Sequence, residues 1–223
     1  MKAVIFDFSG TLFRREDSGS WLRGALAEAG IEASDAEIDV YAERLRASGR
    51  HAGSTVPERL ASVWTRRDLA ATDHRDAYTE LTRRAGLPWP GLDEILYHRH
   101  CLPEAWRQYP DTLAVLNGLA EREVPVAVLS NIGWDLRPVF EHHGVDHLVA
   151  GHVLSFEVGV QKPDPLIFQI ACDLLRRDPH DVLMVGDNLV VDGAATEIGC
   201  AFRAVANLPV SERPRALLDA VGY

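Results

Sequence analysis

Hydrophobic and polar positions follow two regimes along this chain. At the N-terminus, and again beyond Pro110, short runs apolar on both faces are punctuated by Gly, Pro and Asp, whereas between about 15 and 107 only helical spacing is found. Lys2-Ala-Val-Ile-Phe-Asp7, bounded by Ser9-Gly10, predicts a buried strand. In the helical stretch, Ser34-Asp-Ala-Glu37 and Thr55-Val-Pro-Glu58 match the capping box, in which hydroxyl and carboxylate satisfy free N–H groups at a helix start. Gly30, Gly86 and Pro88-Trp-Pro-Gly91 separate those helices.

After Pro110, helix and strand alternate. A helix is predicted from Thr112 to Glu123, a strand from Val124 to Leu129 ending at Ser130, and a helix from Asp135 to His143 stopped by Gly144. Asp164-Pro165 supplies an N-cap and a first-turn proline for a helix through Arg176. A strand from Val182 to Val185 ends at Gly186-Asp187, and a helix up to Gly199 and a last strand from Ala201 to Val205 follow. Strands apolar on both faces and separated by helices imply a parallel sheet covered on two sides. The expected fold is therefore α/β, a doubly wound parallel sheet built from residues 1–14 and 108–223. An all-helical cap, residues 15–107, is inserted after the first strand.

The length of 223 residues suits one domain with a sizeable insertion. A net charge of −10 counts against nucleic-acid partners and against a polybasic membrane surface. No run reaches a signal-peptide core or the ~20 apolar residues of a membrane span, so no membrane partner is expected. Cys101, Cys172 and Cys200 show no C-x-x-C spacing, which favours thiols in a reducing cytoplasm over a disulfide framework or a zinc site. Only Lys2 and Lys162 are lysine, and every other basic residue is arginine, so an interior lysine is a marked choice.

Ligands of an open parallel sheet bind beyond the carboxyl ends of its strands. The first strand delivers Asp7 in Asp7-Phe-Ser-Gly-Thr11, and the central strand delivers Ser130-Asn131. The loop before the Asp164-capped helix carries Lys162, and the strand at 182–185 delivers Gly186-Asp187-Asn188, with Asp192 five residues on. Carboxylates, an ammonium, a hydroxyl and free backbone N–H groups converging at one edge suit phosphoryl transfer. A carboxylate can attack phosphorus, paired carboxylates bind Mg²⁺, and the lysine neutralises non-bridging oxygens.

The order D-x-x-G-T, S-N, K-P-D and G-D-N-x-x-x-D over residues 7–192 resembles the haloacid dehalogenase-like superfamily of phosphatases and related hydrolases, with a helical insertion where that family places its first type of cap. The resemblance implies a Rossmann-like core, Asp7 as nucleophile, and Ser130-Asn131 and Lys162 holding the transferring group of a small phosphorylated substrate. Asp7, the Ser9 backbone carbonyl and Asp187 would ligate Mg²⁺, with Asp192 in or beside the metal shell or holding Lys162.

One position departs from the phosphatase pattern, which has a second aspartate two residues after the nucleophile. Here that residue is Ser9, whose hydroxyl cannot shuttle a proton near neutrality. The loss falls hardest on alkyl phosphates, whose leaving groups need protonation, unless Glu16 or Asp17 of the cap supplies the acid. Two alternatives follow: a weakly active or non-catalytic ligand- or partner-binding protein, and a 2-haloacid dehalogenase-type hydrolase. Schiff-base chemistry with a cap lysine is excluded, because residues 14–107 contain no lysine.

Other polar groups read more plainly. His142, His143, His147 and His152 are broken up by Gly144 and read as a solvated helix end rather than a metal site. His98 and His100 could meet substrate, with nothing to select them. Trp21, Trp64, Trp89 and Trp106 read as core of the helical insertion. Arg14-Arg15 lie where the cap would hinge and are candidates for anion contact. The sequence carries no signature of an oligomeric state.

Overall fold

The structure, a computed structural model, describes residues 1–48, 56 and 58–223. Its main sheet has five strands, all parallel: β1 (Ala3–Phe6), β4 (Val126–Ser130), β5 (Gly151–Leu154), β6 (Val182–Gly186) and β7 (Ala201–Ala204). Two further strands, β2 (Phe13–Arg15) and β3 (Trp106–Gln108), pair antiparallel as a separate ribbon. The order in the main sheet is β5-β4-β1-β6-β7. From β1 the chain winds outward on one side through β4 and β5, then returns to build β6 and β7 on the other. The switch point of the sheet therefore lies at β1, where the crevice of such folds opens.

Alternation of side chains along β1 and β4 explains the two buried layers. Val4, Phe6, Val126 and Val128 point to one face, against the helices Thr112–Glu121 and Arg137–His142. Ala3, Ile5, Ala127 and Leu129 point to the other, against the helix Pro165–Leu175. That helix starts as predicted, with the Asp164 carboxylate accepting from Leu166 N at 2.9 Å. On this second face the packing brings Cys172 and Cys200 together, Sγ to Sγ 3.7 Å, although they are far apart in sequence.

Several elements differ from the sequence reading. The ribbon β2–β3 falls at the two ends of the stretch read as purely helical; three residues per strand, mostly polar, leave no periodicity to detect. β5 was not anticipated, because as an edge strand it is only half apolar, Gly151-His-Val-Leu. The segment before Gly199 is a 3₁₀ turn, Gly193–Ile198, rather than an α-helix, and a short helix, Ala216–Val221, closes the chain.

The insertion consists of the helices Ser18–Ala29, Asp35–Ala47, Ala61–Arg66, Ala71–Arg83 and Leu92–His100, with short 3₁₀ turns. The Ser34 capping box forms, Glu37 Oε2 accepting from Ser34 N at 2.9 Å and Ser34 Oγ from Glu37 N at 3.3 Å. The second box, at Thr55, begins outside the described residues. Trp21 stands in the insertion's own core with Leu22, Leu26, Ile38, Leu92 and Leu96, and Trp89 packs on it. The other two tryptophans do not belong to that bundle. Trp106 joins the sheet-face cluster, its ring 4.6 Å from that of Phe8, and Trp64 lines the cavity described next. No described helix is long and apolar enough to cross a membrane.

Candidate active site

β1 ends by delivering Asp7, buried at 7% exposure, into the crevice. The chain then turns back at once, because the Phe8 carbonyl accepts from the N–H groups of Leu12 and Phe13 at 3.1 and 3.0 Å. That turn sets the Thr11 hydroxyl 3.1 Å from Asp7 Oδ2, to which it donates. Gly10 makes the turn possible: its φ of +87° is left-handed, and a Cβ there would collide with the Asp187 carboxylate and the Asn207 amide.

Lys162 reaches the same place from the loop before the Pro165 helix. Its ammonium, nearly out of solvent, donates to Asp7 Oδ1 at 2.8 Å, Asp192 Oδ1 at 2.6 Å and the Leu129 carbonyl at 3.1 Å. All three of its protons are thereby placed. Asn131 holds the loop by a reciprocal pair: its Nδ2 donates to Lys162 O and its Oδ1 accepts from Lys162 N, both at 2.7 Å. Its carboxamide thus positions the lysine. The second oxygen of Asp192 accepts from Asn188 N at 2.9 Å. Asp187, at the end of β6, accepts from Asn207 Nδ2 at 2.7 Å.

Asp7, Ser9, Ser130, Asn131, Lys162, Asp187 and Asp192 all line one cavity of about 790 Å³, to which the insertion also contributes lining residues. One oxygen from each of Asp7, Asp187 and Asp192 lies within 4.8 Å of the others. Three acidic groups thus share one ammonium in a largely buried space. Burial pushes Asp7 up to about 7 despite the opposing pull of Lys162, with Asp192 and Asp187 pushing the same way. Burial also raises Asp187. Burial would lower Lys162, but Asp192 and Asp7 outweigh it and hold the ammonium protonated above its ordinary range. An all-oxygen, excess-negative set is the environment a hard divalent cation fits. Among the described residues no histidine belongs to a comparable group.

Both carboxylates considered as substitute acids are engaged. Glu16 gives both oxygens to Arg99, at 2.7 and 3.1 Å. Asp17 caps the helix Ser18–Ala29, accepting from the N–H groups of Ser20 and Gly19, and those bonds hold its carboxyl below the usual range. Of the two cap histidines singled out in the sequence, His100 lines the cavity, as His74 also does, while His98 Nδ1 lies 3.3 Å from Glu28 Oε1.

Three site residues escaped the sequence reading. Asn207 follows β7, so the strand-end rule applied to that last strand would have found it. Arg213 donates to the Gly10 and Thr11 carbonyls and ties the nucleophile turn to the C-terminal segment. Asp68 comes from the insertion, lines the cavity and pairs with Arg67 at 2.9 Å; its only signature is tertiary.

Burial lifts Asp68 to about 6, against the pull of Arg67, from an ordinary 3.8. The folded protein therefore holds this proton more tightly than the unfolded chain does. Its stabilising effect is complete below about pH 4 and is lost as pH rises through about 6. Relative to Asp68→Asn, the wild type is expected to lose ~2–3 kcal/mol between pH 4 and pH 8. Denaturant melts of both proteins at the two pH values check this; a pH-independent difference would place the carboxyl in an ordinary environment.

A family model described as haloacid dehalogenase-like hydrolase matches residues 1–197. The glyceraldehyde 3-phosphate phosphatase of Methanopyrus kandleri is 30% identical over 201 residues, covering 86% of this chain and 78% of that one. (S)-2-Haloacid dehalogenase 4A of Burkholderia cepacia is 28% identical over 204 residues, covering 89% and 80%. Among solved structures, the L-2-haloacid dehalogenase of Xanthobacter autotrophicus superposes with a TM-score of 0.65 at 23% identity, covering 98% of this chain and 83% of that one, a likeness of fold alone.

Proposed function

We propose, from the premise that this chain belongs to the haloacid dehalogenase-like hydrolases, that it is a cytoplasmic, Mg²⁺-dependent phosphohydrolase of small phosphorylated metabolites, acting through an aspartyl-phosphate on Asp7. The observation that carries this reading is the excess of buried carboxylate over ammonium at the end of β1. Asp7, the Ser9 carbonyl, Asp187 and Asp192 would hold the cation. When bound, it neutralises their charge and polarises the phosphoryl oxygens.

The chain's own residues divide the remaining work. A carboxylate oxygen of Asp7, oriented by Thr11, forms a bond to phosphorus as the ester oxygen leaves with its electron pair. Lys162 and the Ser130 hydroxyl hold the non-bridging oxygens while charge redistributes. Water then attacks the phosphorus of the aspartyl-phosphate and frees Asp7 and inorganic phosphate. Ser9 contributes no proton, so substrates whose leaving groups depart without one, such as acyl phosphates, are favoured.

Ser9 also favours a second reading, carbon–halogen hydrolysis on the same Asp7, which needs neither a leaving-group acid nor a metal. Assay of phosphomonoesters, acyl phosphates and 2-haloacids with Mg²⁺ and with EDTA separates the two. Phosphate release that EDTA stops is expected, together with a melting temperature that Mg²⁺ raises and that Asp187→Ala no longer allows it to raise. Haloacid turnover indifferent to chelation would select the second reading. Inertness toward every compound would leave a ligand-binding role.

A further inference from the structure

The basic residues around the cavity are not equivalent. Lys162 is committed to Asp7 and Asp192. Arg14 donates to Asn207 Oδ1 at 2.5 Å, Arg67 pairs with Asp68 at 2.9 Å, and Arg46 pairs with Glu43. Arg15 also lines the cavity, yet among the described residues its guanidinium makes no ion pair within 4.0 Å and no hydrogen bond, although Tyr78 and Glu16 lie near enough to favour its charge. Glu16, the carboxylate beside it in sequence, is fully taken by Arg99.

Instead the Arg15 guanidinium lies over the ring of Trp21, 4.8 Å from its centroid, and Trp21 is wholly buried in the insertion's core. The indole fixes one face of the planar cation and leaves its edge, with the N–H donors, for another group. The Arg15 nitrogens remain open to the cavity, and burial of the side chain disfavours its charge against the pull of Tyr78 and Glu16. An anion entering the cavity would offset that burial cost with charge-assisted hydrogen bonds. The place of Arg15 on β2, where the chain leaves the sheet domain for the insertion, puts it on the cavity wall at the junction of the two, within the same cavity as Asp7.

We infer that Arg15 is a specificity-determining residue that receives a second anionic group at the far end of the substrate, a carboxylate or a second phosphate. This rests on the phosphohydrolase reading and narrows it to small phosphomonoesters that carry two anions.

The test compares matched substrates: phosphoglycolate against ethyl phosphate for a carboxylate tail, and propane-1,3-diyl bisphosphate against propyl phosphate for a phosphate tail. For the preferred tail, wild-type kcat/KM is expected to exceed that for the tail-less partner by about ten- to a hundredfold, the range of a charge-assisted hydrogen bond. In Arg15→Gln that ratio should fall to near one, and Arg15→Lys should keep part of it. No wild-type preference for either tail, or a preference that survives Arg15→Gln, overturns the proposal. A lowered melting temperature with all four substrates equally impaired would also overturn it, because that is the mark of a merely structural stack on Trp21. If no phosphomonoester is turned over, the phosphohydrolase reading has failed, and calorimetric titration with phosphonoacetate decides the role of Arg15. Binding weakened tenfold or more in Arg15→Gln upholds it; equal binding overturns it.

Discussion

Asp7→Asn is expected to lower phosphomonoester turnover by at least ~10³-fold while the protein still folds. The amide has the volume of the carboxylate but is a far poorer nucleophile. Its surroundings tolerate the change. Lys162 keeps Asp192 and the Leu129 carbonyl, and the Thr11 hydroxyl can rotate to accept where it donated. The variant also removes one of three carboxylates that crowd within 4.8 Å, which offsets part of the lost ion pair. Far-ultraviolet circular dichroism and a melting temperature within a few degrees of wild type would show an intact fold. Residual turnover above a few per cent, with contaminating phosphatase excluded by a second purification, would take Asp7 out of the nucleophile role.

The next largest effect is a gain. On the phosphohydrolase reading, the missing carboxyl at position 9 should slow attack of water on the aspartyl-phosphate with every substrate, and departure of an alkoxide as well. Activated substrates such as p-nitrophenyl phosphate should therefore release a burst near one equivalent of leaving group per site before slow steady turnover. Ser9→Asp should raise the steady rate by up to ~10²–10⁴-fold, the range of general acid–base catalysis. The structure gives the new side chain room, because Ser9 is exposed and lies on the cavity wall. The gain should be greatest for alkyl phosphates, which need a proton in both steps. An unchanged rate in Ser9→Asp, with activity lost in Asp68→Asn, would locate the acid in the insertion.

What the sequence revealed and what it hid follow from how each contact is made. β1, β4 and β6 are buried on both faces, so they read as continuous apolar runs, and the residues at their carboxyl ends announce themselves by position. Lys162 stood out because the chain otherwise uses arginine. β5 lies at an edge and β2 and β3 carry mainly polar residues, so no run of buried positions marks them. Asp68 and Arg213 reach the site only because other elements pack: the Ser155 hydroxyl meets the Asp68 backbone, and the Arg213 guanidinium meets the Gly10 and Thr11 carbonyls. A lone aspartate or arginine in a polar stretch carries no local trace of such a partner. The same holds for Glu16 and Asp17, whose engagement with Arg99 and with a helix start is invisible until the helices are placed.

The β2–β3 ribbon changes how the assembly of this chain should be regarded. Phe13 pairs with Gln108 and Arg15 with Trp106, so residues 16–105 leave and re-enter the sheet domain one strand spacing apart, ~4.8 Å. To the sheet domain, those residues amount to the loop of a hairpin, and once folded on their own core they impose little of the closure entropy that a disordered loop of that length would. Long-range pairing of β1 with β4, across more than a hundred positions, then depends on two short strands meeting rather than on threading past a large flexible segment. The insertion is thus positioned to unfold and refold as a cooperative unit of its own while the parallel sheet stays protected, the ribbon marking the border in hydrogen exchange.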